Sequence, residues 1–258
     1  IKEFSNEQRS RKYSWWNFPC IVLYQQFRQF LNLFYLILAL SQLWPPIAVG
    51  PAYTYILPLA FTLSITLLKE FLDDWKRRAK DWEINTAGYQ CTTFGNYFED
   101  ILIIINLPGI DPDTGALRDV PARDIRAGDF ILLKSNQRVP ADCLFIHTTS
   151  KSAQTYVRTD QLDGETDWKL RKPVALVQRI NAQEMYRRLT NLRAMCRVES
   201  PHKDIYNFQG RFSIQPQQNN YASISSEGLT LEHTLWRDTV VTEGDVVGFV
   251  IFTGCETR

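Results

Sequence analysis

Two carboxylates, a glycine and a hydroxyl stand together at Asp163-Gly164-Glu165-Thr166, inside the stretch TDQLDGETDWKLR. Asp-Gly is among the commonest hairpin signals, so the four residues fit a tight turn in a β-rich domain. They equally fit a carboxylate held at a loop tip to do chemistry. Four residues do not separate these readings; the elements that hold them must. Other chemistry is poorly supported. The sequence has no G-x-x-x-x-G-K-[ST] phosphate loop, no G-x-G-x-x-G and no H-E-x-x-H, and the three histidines (His147, His202, His233) lack metal-ligand spacing. A serine hydrolase has no G-x-S-x-G elbow to build on. The five cysteines (Cys20, Cys91, Cys143, Cys196, Cys255) are odd in number and scattered, with no C-x-x-C pair. They read as ordinary thiols in a reducing compartment rather than a disulfide framework or zinc site. A net charge of +1 gives no pointer to nucleic acid or to an acidic partner.

At 258 residues, 22% charged and 13% aromatic, the chain has the composition of an ordinary folded protein of one large or two small domains. That average hides a local bias. Between Arg28 and Lys69 no Asp, Glu, Lys, Arg or His occurs, leaving a neutral run from Phe30 to Leu68. One bilayer crossing takes about 20 apolar residues, so this run suffices for roughly two. Within it, WPPIAVGP (Trp44 to Pro51) ends one helix and prevents a straight continuation. The expectation is a helical transmembrane hairpin with arms at roughly Phe27 to Leu43 and Ala52 to Leu72. Arg9, Arg11, Lys12 and Arg28 precede it and Lys76, Arg77, Arg78 and Lys80 follow it, while the turn has no base. Both ends are therefore expected on the cytoplasmic side, with Trp15, Trp16 and Trp44 as interface anchors. Gln25, Gln26, Gln29, Asn32, Ser41 and Gln42 are too many polar groups for a helix facing only lipid, so some must face protein or a polar path. No carboxylate sits in mid-membrane, so these spans offer no obvious cation site.

From about Trp82 the charge returns and apolar residues fall into short strand-like runs. DILIIINL (Asp100 to Leu107) reads as a strand and PGIDPDTGALRDV as a loop. GDFILLKSNQRVPADCLFIHT (Gly128 to Thr148) reads as two strands around a polar bend, and TYVRTDQLDGET as a strand running into the motif. GDVVGFVIFTG (Gly244 to Gly254) supplies another strand near the end. AQEMYRRLTNLRAM looks helical, and SIQPQQNNYASISSEG is polar enough for a mobile loop. Gly128-Asp129 and Pro140-Ala141-Asp142 read as turn chemistry. The chain opens at Ile1 without an initiator Met or a signal-peptide core and stops at FTGCETR, so a fragment of a longer protein is expected.

The order of these features, two spans, then GD, PAD and DGET within a β domain, then TGCETR, resembles the start of a P-type ATPase. YQQFRQFLNLFYLILALSQ, LLKEFLDDWKRR and LDGET are similar to the lipid-flippase branch, the type IV P-type ATPases. The Asp167-Trp168-Lys169-Leu170 that follows the motif resembles the endosomal and Golgi subgroup. The resemblance implies a membrane protein fragment: an α-helical transmembrane hairpin followed by a mostly β, jelly-roll-like cytoplasmic actuator domain. The implied organisation is an interfacial segment over 1–26, the hairpin over 27–72, a linker over 73–84, the actuator domain over 85–248 and a lead-in to a third span over 249–258.

It further implies an ATP-driven movement of phospholipid toward the cytoplasmic leaflet, in Golgi or endosomal membranes. ATP and Mg2+ would serve the full-length protein. The partners would be a phospholipid substrate, the membrane, and phosphorylation and nucleotide-binding domains that these 258 residues lack. An accessory β-subunit would be dispensable. In the implied cycle an aspartyl phosphate is hydrolysed, which needs a water aimed at phosphorus and a group to take its proton; a carboxylate on a projecting loop can do both. Glu165 is the candidate. Gly164 would let the loop backbone approach the phosphate, and Asp163 and Thr166 would shape the turn through local hydrogen bonds. Gln42, beside the hairpin turn, and Asn32 are the candidates for contact with the lipid head group. The alternatives are a cation-transporting P-type ATPase fragment and a truncated, non-catalytic membrane-anchored module.

Overall fold

The computed structural model describes residues 5–46, 50, 51, 53–92, 98, 99, 102–106, 118–178, 193–202, 204–215 and 225–257. They fall into two compact units, Arg9–Ile84, and Ile1–Gln8 with Asn85–Arg258.

The first unit is helical: α1 (Phe18–Phe27), α2 (Phe30–Ser41) and the longer part of α3 (Tyr53–Thr86). The first predicted arm, 27–43, is thus not one helix. It breaks at Arg28-Gln29, where Gln29 is extended (ψ 127°) and becomes the N-cap of α2. Neither Pro nor Gly marks the break. Asn32 braces it, its amide donating at 3.2 Å to the Gln26 carbonyl, which also accepts from Gln29 N at 3.1 Å. The second predicted arm, 52–72, continues to Thr86 and absorbs both the expected linker and the start of the expected β domain. Nothing between Leu59 and Asn85 breaks a helix, and Asp74 and Arg78 pair across one turn at 2.8 Å.

Among the described residues α3 alone is long and apolar enough to cross a membrane. Its Leu57, Phe61, Ile65 and Leu68 are exposed, as a lipid-facing surface requires. Thr62, Ser64 and Thr66 return their hydroxyls to carbonyls one turn back, at 2.7–2.9 Å, which satisfies them without water. α2 has 12 residues, about 18 Å of helix, short of a straight crossing. In the segment before α1, Ser10 N donates to Asp81 (2.7 Å) and Lys12 N to Asp74 (3.0 Å), and Arg78 donates to the Tyr13 carbonyl. Asp74, Arg78 and Asp81 recur at helical spacing, so the segment follows one face of α3.

Among the described residues the second unit contains three antiparallel sheets. The largest has the order β12 (Thr234–Leu235), β6 (Asp142–Thr148), β14 (Val246–Phe252), β5 (Phe130–Leu133), β1 (Gly88–Thr92), β4 (Arg118–Pro121). Its middle is buried on both faces. In β6, Cys143 and Phe145 enter one core while Leu144 and Ile146 enter the other; in β5, Ile131 and Leu133 face opposite to Phe130. A two-sided strand must be apolar throughout, and this accounts for the runs FILL and VVGFVIF. Gly248 marks a close approach of β14 to β6: a Cβ there would lie 3.1 Å from that of Cys143.

The second sheet has the order β11 (Ser225–Leu229), β10 (Gly210–Gln215), β9 (Arg193–Val198), β3 (Leu102–Asn106), β2 (Phe98–Glu99), and the third is β13 (Val240–Val241), β7 (Thr155–Arg158), β8 (Trp168–Arg171). A short helix, α4 (Ala175–Gln178), follows β8. Three expectations change at their edges. Arg193–Met195, the end of the expected helix, belong to β9; Arg118–Val120, the end of an expected loop, to β4; and both ends of the expected mobile loop to β10 and β11. The remainder of the expected helix, 182–192, most of the first loop, 108–117, and the middle of the second, 216–224, lie outside the described residues.

Asn6 locks this unit. It is 1% exposed, donates to the carbonyls of Ala122 and Pro140 at 2.9 Å each, and accepts from Gly254 N at 3.1 Å. The PAD bend and the turn into TGCETR are therefore fastened to one buried amide, whose two donors and whose oxygen are all engaged.

Candidate functional site

The DGET motif lies on the loop 159–167 between β7 and β8, paired with Thr155 opposite Arg171 and Arg158 opposite Trp168. The loop is much longer than an Asp-Gly turn needs. Its first half is an anchored turn. Leu162 N and Asp163 N both donate to the Thr159 carbonyl, at 2.8 and 3.1 Å, and Leu162 packs on the core between the sheets. Its second half projects into solvent.

Asp163 organises the tip. Its side chain, 5% exposed, accepts from Glu165 N at 3.0 Å and from the Thr159 hydroxyl at 3.1 Å, and pairs with the Lys169 ammonium. Burial alone would raise this carboxyl; Lys169 foremost, then the Glu165 N–H and the Thr159 hydroxyl, reverse that and hold it below the ordinary carboxylate value. Asp163 is thus an anion at neutral pH, an acceptor rather than a donor. Gly164 has φ +78°, a conformation few side chains tolerate, and a Cβ there would meet nothing within 4 Å. Within the chain, the φ angle rather than crowding calls for glycine. Glu165 follows with its side chain 55% exposed and Oε2 2.8 Å from Lys169 Nζ. Thr166 is exposed, and among the described residues its hydroxyl has no hydrogen-bond partner, so Asp163 alone shapes the turn.

Three neighbours escape a reading of the motif itself. Lys169 bridges both motif carboxylates, and burial, which would lower its ammonium, is outweighed by them, so that its pKa is raised. Tyr206, from the connection between β9 and β10, sets its ring under that ammonium (5.1 Å to the centroid) and its hydroxyl 3.5 Å from Asp163 Oδ2. The Trp236 indole donates to the Ile205 carbonyl at 3.1 Å and stacks edge-on with Phe208, pinning the chain on both sides of Tyr206. Arg171 is buried behind the loop. Desolvation lowers its guanidinium to about 10, against the pull of Glu232 and Asp163, and its Nε has no partner among the described residues. Lys169 and Arg171 were legible only as the last letters of the quoted stretch; no local signal points to Tyr206.

The other expected site residues lie in the helical unit. Gln42 donates to Ser41 Oγ at 3.1 Å and accepts from Gly50 N at 3.3 Å, so its amide spans the turn after α2. Asn32 is occupied with Gln26 and Gln29. No three His, Cys, Asp or Glu residues among those described gather into a metal-holding cluster.

The P-type ATPase actuator domain model matches residues 113–258, a span that contains this loop. A second model, the phospholipid-translocating ATPase N-terminal region, matches residues 2–56. The chain therefore belongs to the P-type ATPases, with the actuator domain of that family and the N-terminal region of its phospholipid-translocating members. Among curated proteins it is 37% identical, over 98% of its length, to the probable phospholipid-transporting ATPase IIB of Bos taurus. It is 38% identical over 96% to the probable phospholipid-transporting ATPase tat-5 of Caenorhabditis elegans and 33% identical over 98% to the phospholipid-transporting ATPase NEO1 of Saccharomyces cerevisiae. The chain spans about a fifth of each relative, 20%, 21% and 19% respectively.

Proposed function

We propose that this chain is the N-terminal and actuator portion of an ATP-driven phospholipid flippase, and that Glu165 drives hydrolysis of the aspartyl phosphate formed elsewhere in the full-length protein. The observation that carries the reading is the exposed Glu165 carboxylate on a loop held by the nearly buried, hydrogen-bonded Asp163. Its carboxylate accepts a proton from water as the water oxygen bonds to phosphorus; the aspartyl oxygen leaves with the electron pair, yielding inorganic phosphate and a free aspartate. Asp163 fixes the approach angle, and the bare Gly164 backbone leaves room for the phosphoryl group and its three equatorial oxygens.

α3 and the apolar stretch before it form the two-span hairpin of a multi-pass protein, with the β unit on the cytoplasmic side, as the flanking bases support. The β unit wraps in the jelly-roll manner, a reading supported by a sheet covered on both faces. Phospholipid passes near Gln42 and Asn32. ATP and Mg2+ are held by other domains of the full-length chain, the protein works in Golgi and endosomal membranes, and it does so without an accessory subunit. The likeness to phospholipid-transporting ATPase NEO1 supports this lipid-moving role.

The test is Glu165→Gln in the full-length protein. Phosphorylation from ATP should persist while phosphoenzyme decay slows by about 10²-fold, the scale of a lost general base. Decay at the normal rate would remove Glu165 from the mechanism.

A further inference from the structure

Resting on that reading, we infer that Lys169 and Tyr206 form a positioning clamp that sets the direction of the Glu165 carboxylate. An isolated exposed Lys–Glu pair orients little, because both side chains are mobile and water screens them. Here one end is fixed. Asp163 is nearly buried and bound by the Thr159 hydroxyl and the Glu165 backbone, and it holds the Lys169 ammonium. The Tyr206 ring closes the ammonium's other side, and Tyr206 is itself held by a chain pinned to the buried Trp236. The ammonium is therefore a held donor, and among the described residues its exposed partner is Glu165, whose side chain is 55% exposed and whose Oε2 it meets at 2.8 Å. With one carboxylate oxygen engaged, the other is left to face solvent and a water nucleophile.

The arrangement separates two duties across one motif. Asp163 receives Lys169 and never reaches the reacting atoms, and Glu165 receives its orientation from Lys169 and does. Lys169 and Tyr206 act through Glu165 and touch no substrate. Lys169 belongs to β8 of the same hairpin, whereas Tyr206 reaches Asp163 across 43 residues of chain, so the clamp joins the β7–β8 hairpin to the β9–β10 connection.

Full-length protein carrying Lys169→Met, Lys169→Arg, Tyr206→Phe or Glu165→Gln is phosphorylated with labelled ATP and chased, and decay of the phosphoenzyme is followed. Lys169→Met should phosphorylate to the wild-type level and decay at least tenfold more slowly. Lys169→Arg, which restores charge and donors, should recover at least a third of the rate, and Tyr206→Phe should lose about twofold. In the Glu165→Gln background Lys169→Met should change decay by less than twofold, since there is no carboxylate left to aim; a merely structural lysine would slow it again. If Glu165→Gln slows decay and Lys169→Met does not, the clamp is overturned and the role of Glu165 stands. If Glu165→Gln itself decays normally, the proposed function falls first. Should Lys169→Met yield too little folded protein, Lys169→Gln, which keeps a donor and loses the charge, decides by the same two comparisons.

Discussion

Two bends of the β unit each hold an aspartate beside a small residue, and they are opposites. At Pro140-Ala141-Asp142 the backbone is buried, Asn6 grips the Pro140 carbonyl, and the fully buried Asp142 carboxylate accepts from Arg237 N at 2.8 Å. At Asp163-Gly164-Glu165 the aspartate alone is covered and the following residues stand in water. The first bend spends its polar groups on closing the fold. The second uses one carboxylate to support another that has no structural task. A turn signal in sequence therefore says where the chain reverses, and the fate of its carboxylates says whether it does anything further.

The contrast can be broken by mutation. The largest effect on stability is expected at the buried bend. Asp142→Ala strands the Arg237 N–H and removes a charge-assisted bond, at a cost of about 3 kcal/mol in unfolding free energy, read as a lowered denaturation midpoint. Equal loss from Asp163→Ala would erase the distinction.

Next is Asp129 of the Gly128-Asp129 turn, another aspartate with an internal task. Burial pushes its carboxyl up to about 6, against the pull of the Arg126 N–H at 2.8 Å. Its folded value lies above the unfolded one near 4, so the ionised form is disfavoured by folding. The cost is complete above pH 6, shrinks as pH falls toward 4, and is gone below. Asp129→Asn keeps an acceptor for that N–H. It should match or exceed wild-type stability at pH 7 by on the order of 2 kcal/mol and lose the wild type's gain between pH 7 and pH 4, in unfolding curves taken across that range.

The smallest stability effect, about 1 kcal/mol, is expected for Gly164→Ala, since only the φ of +78° opposes the methyl and no atom does. A loss of phosphoenzyme hydrolysis far larger than that would sharpen the contrast, because it would place the methyl against the phosphate rather than against the fold.

How much of this could be read from sequence followed burial. β5, β6 and β14 stood out because strands covered on both faces are apolar at every position. β4 and β11 did not, since each lies at the edge of its sheet and is written in polar letters, RDVP and SSEGL. The helix break at Arg28-Gln29 carries no Pro or Gly and is braced by an amide from Asn32, a contact that no periodicity reports. At the site, Glu165, Gly164 and Asp163 were legible because a local turn needs them side by side. Tyr206 was not, because it meets them only after β9 and β10 have paired.

β14 has one more consequence, for the order in which the chain is made. It is among the last segments of these residues to be synthesised, yet it lies between β5 and β6, and Gly254 just beyond it completes the hydrogen bonds of Asn6. At about 5–20 residues per second, β5 and β6 wait roughly 5–25 s for the strand that joins them. Throughout that interval two apolar edges lie open. The β unit therefore closes only once β14 has been made, so its stability arrives in one late step rather than strand by strand.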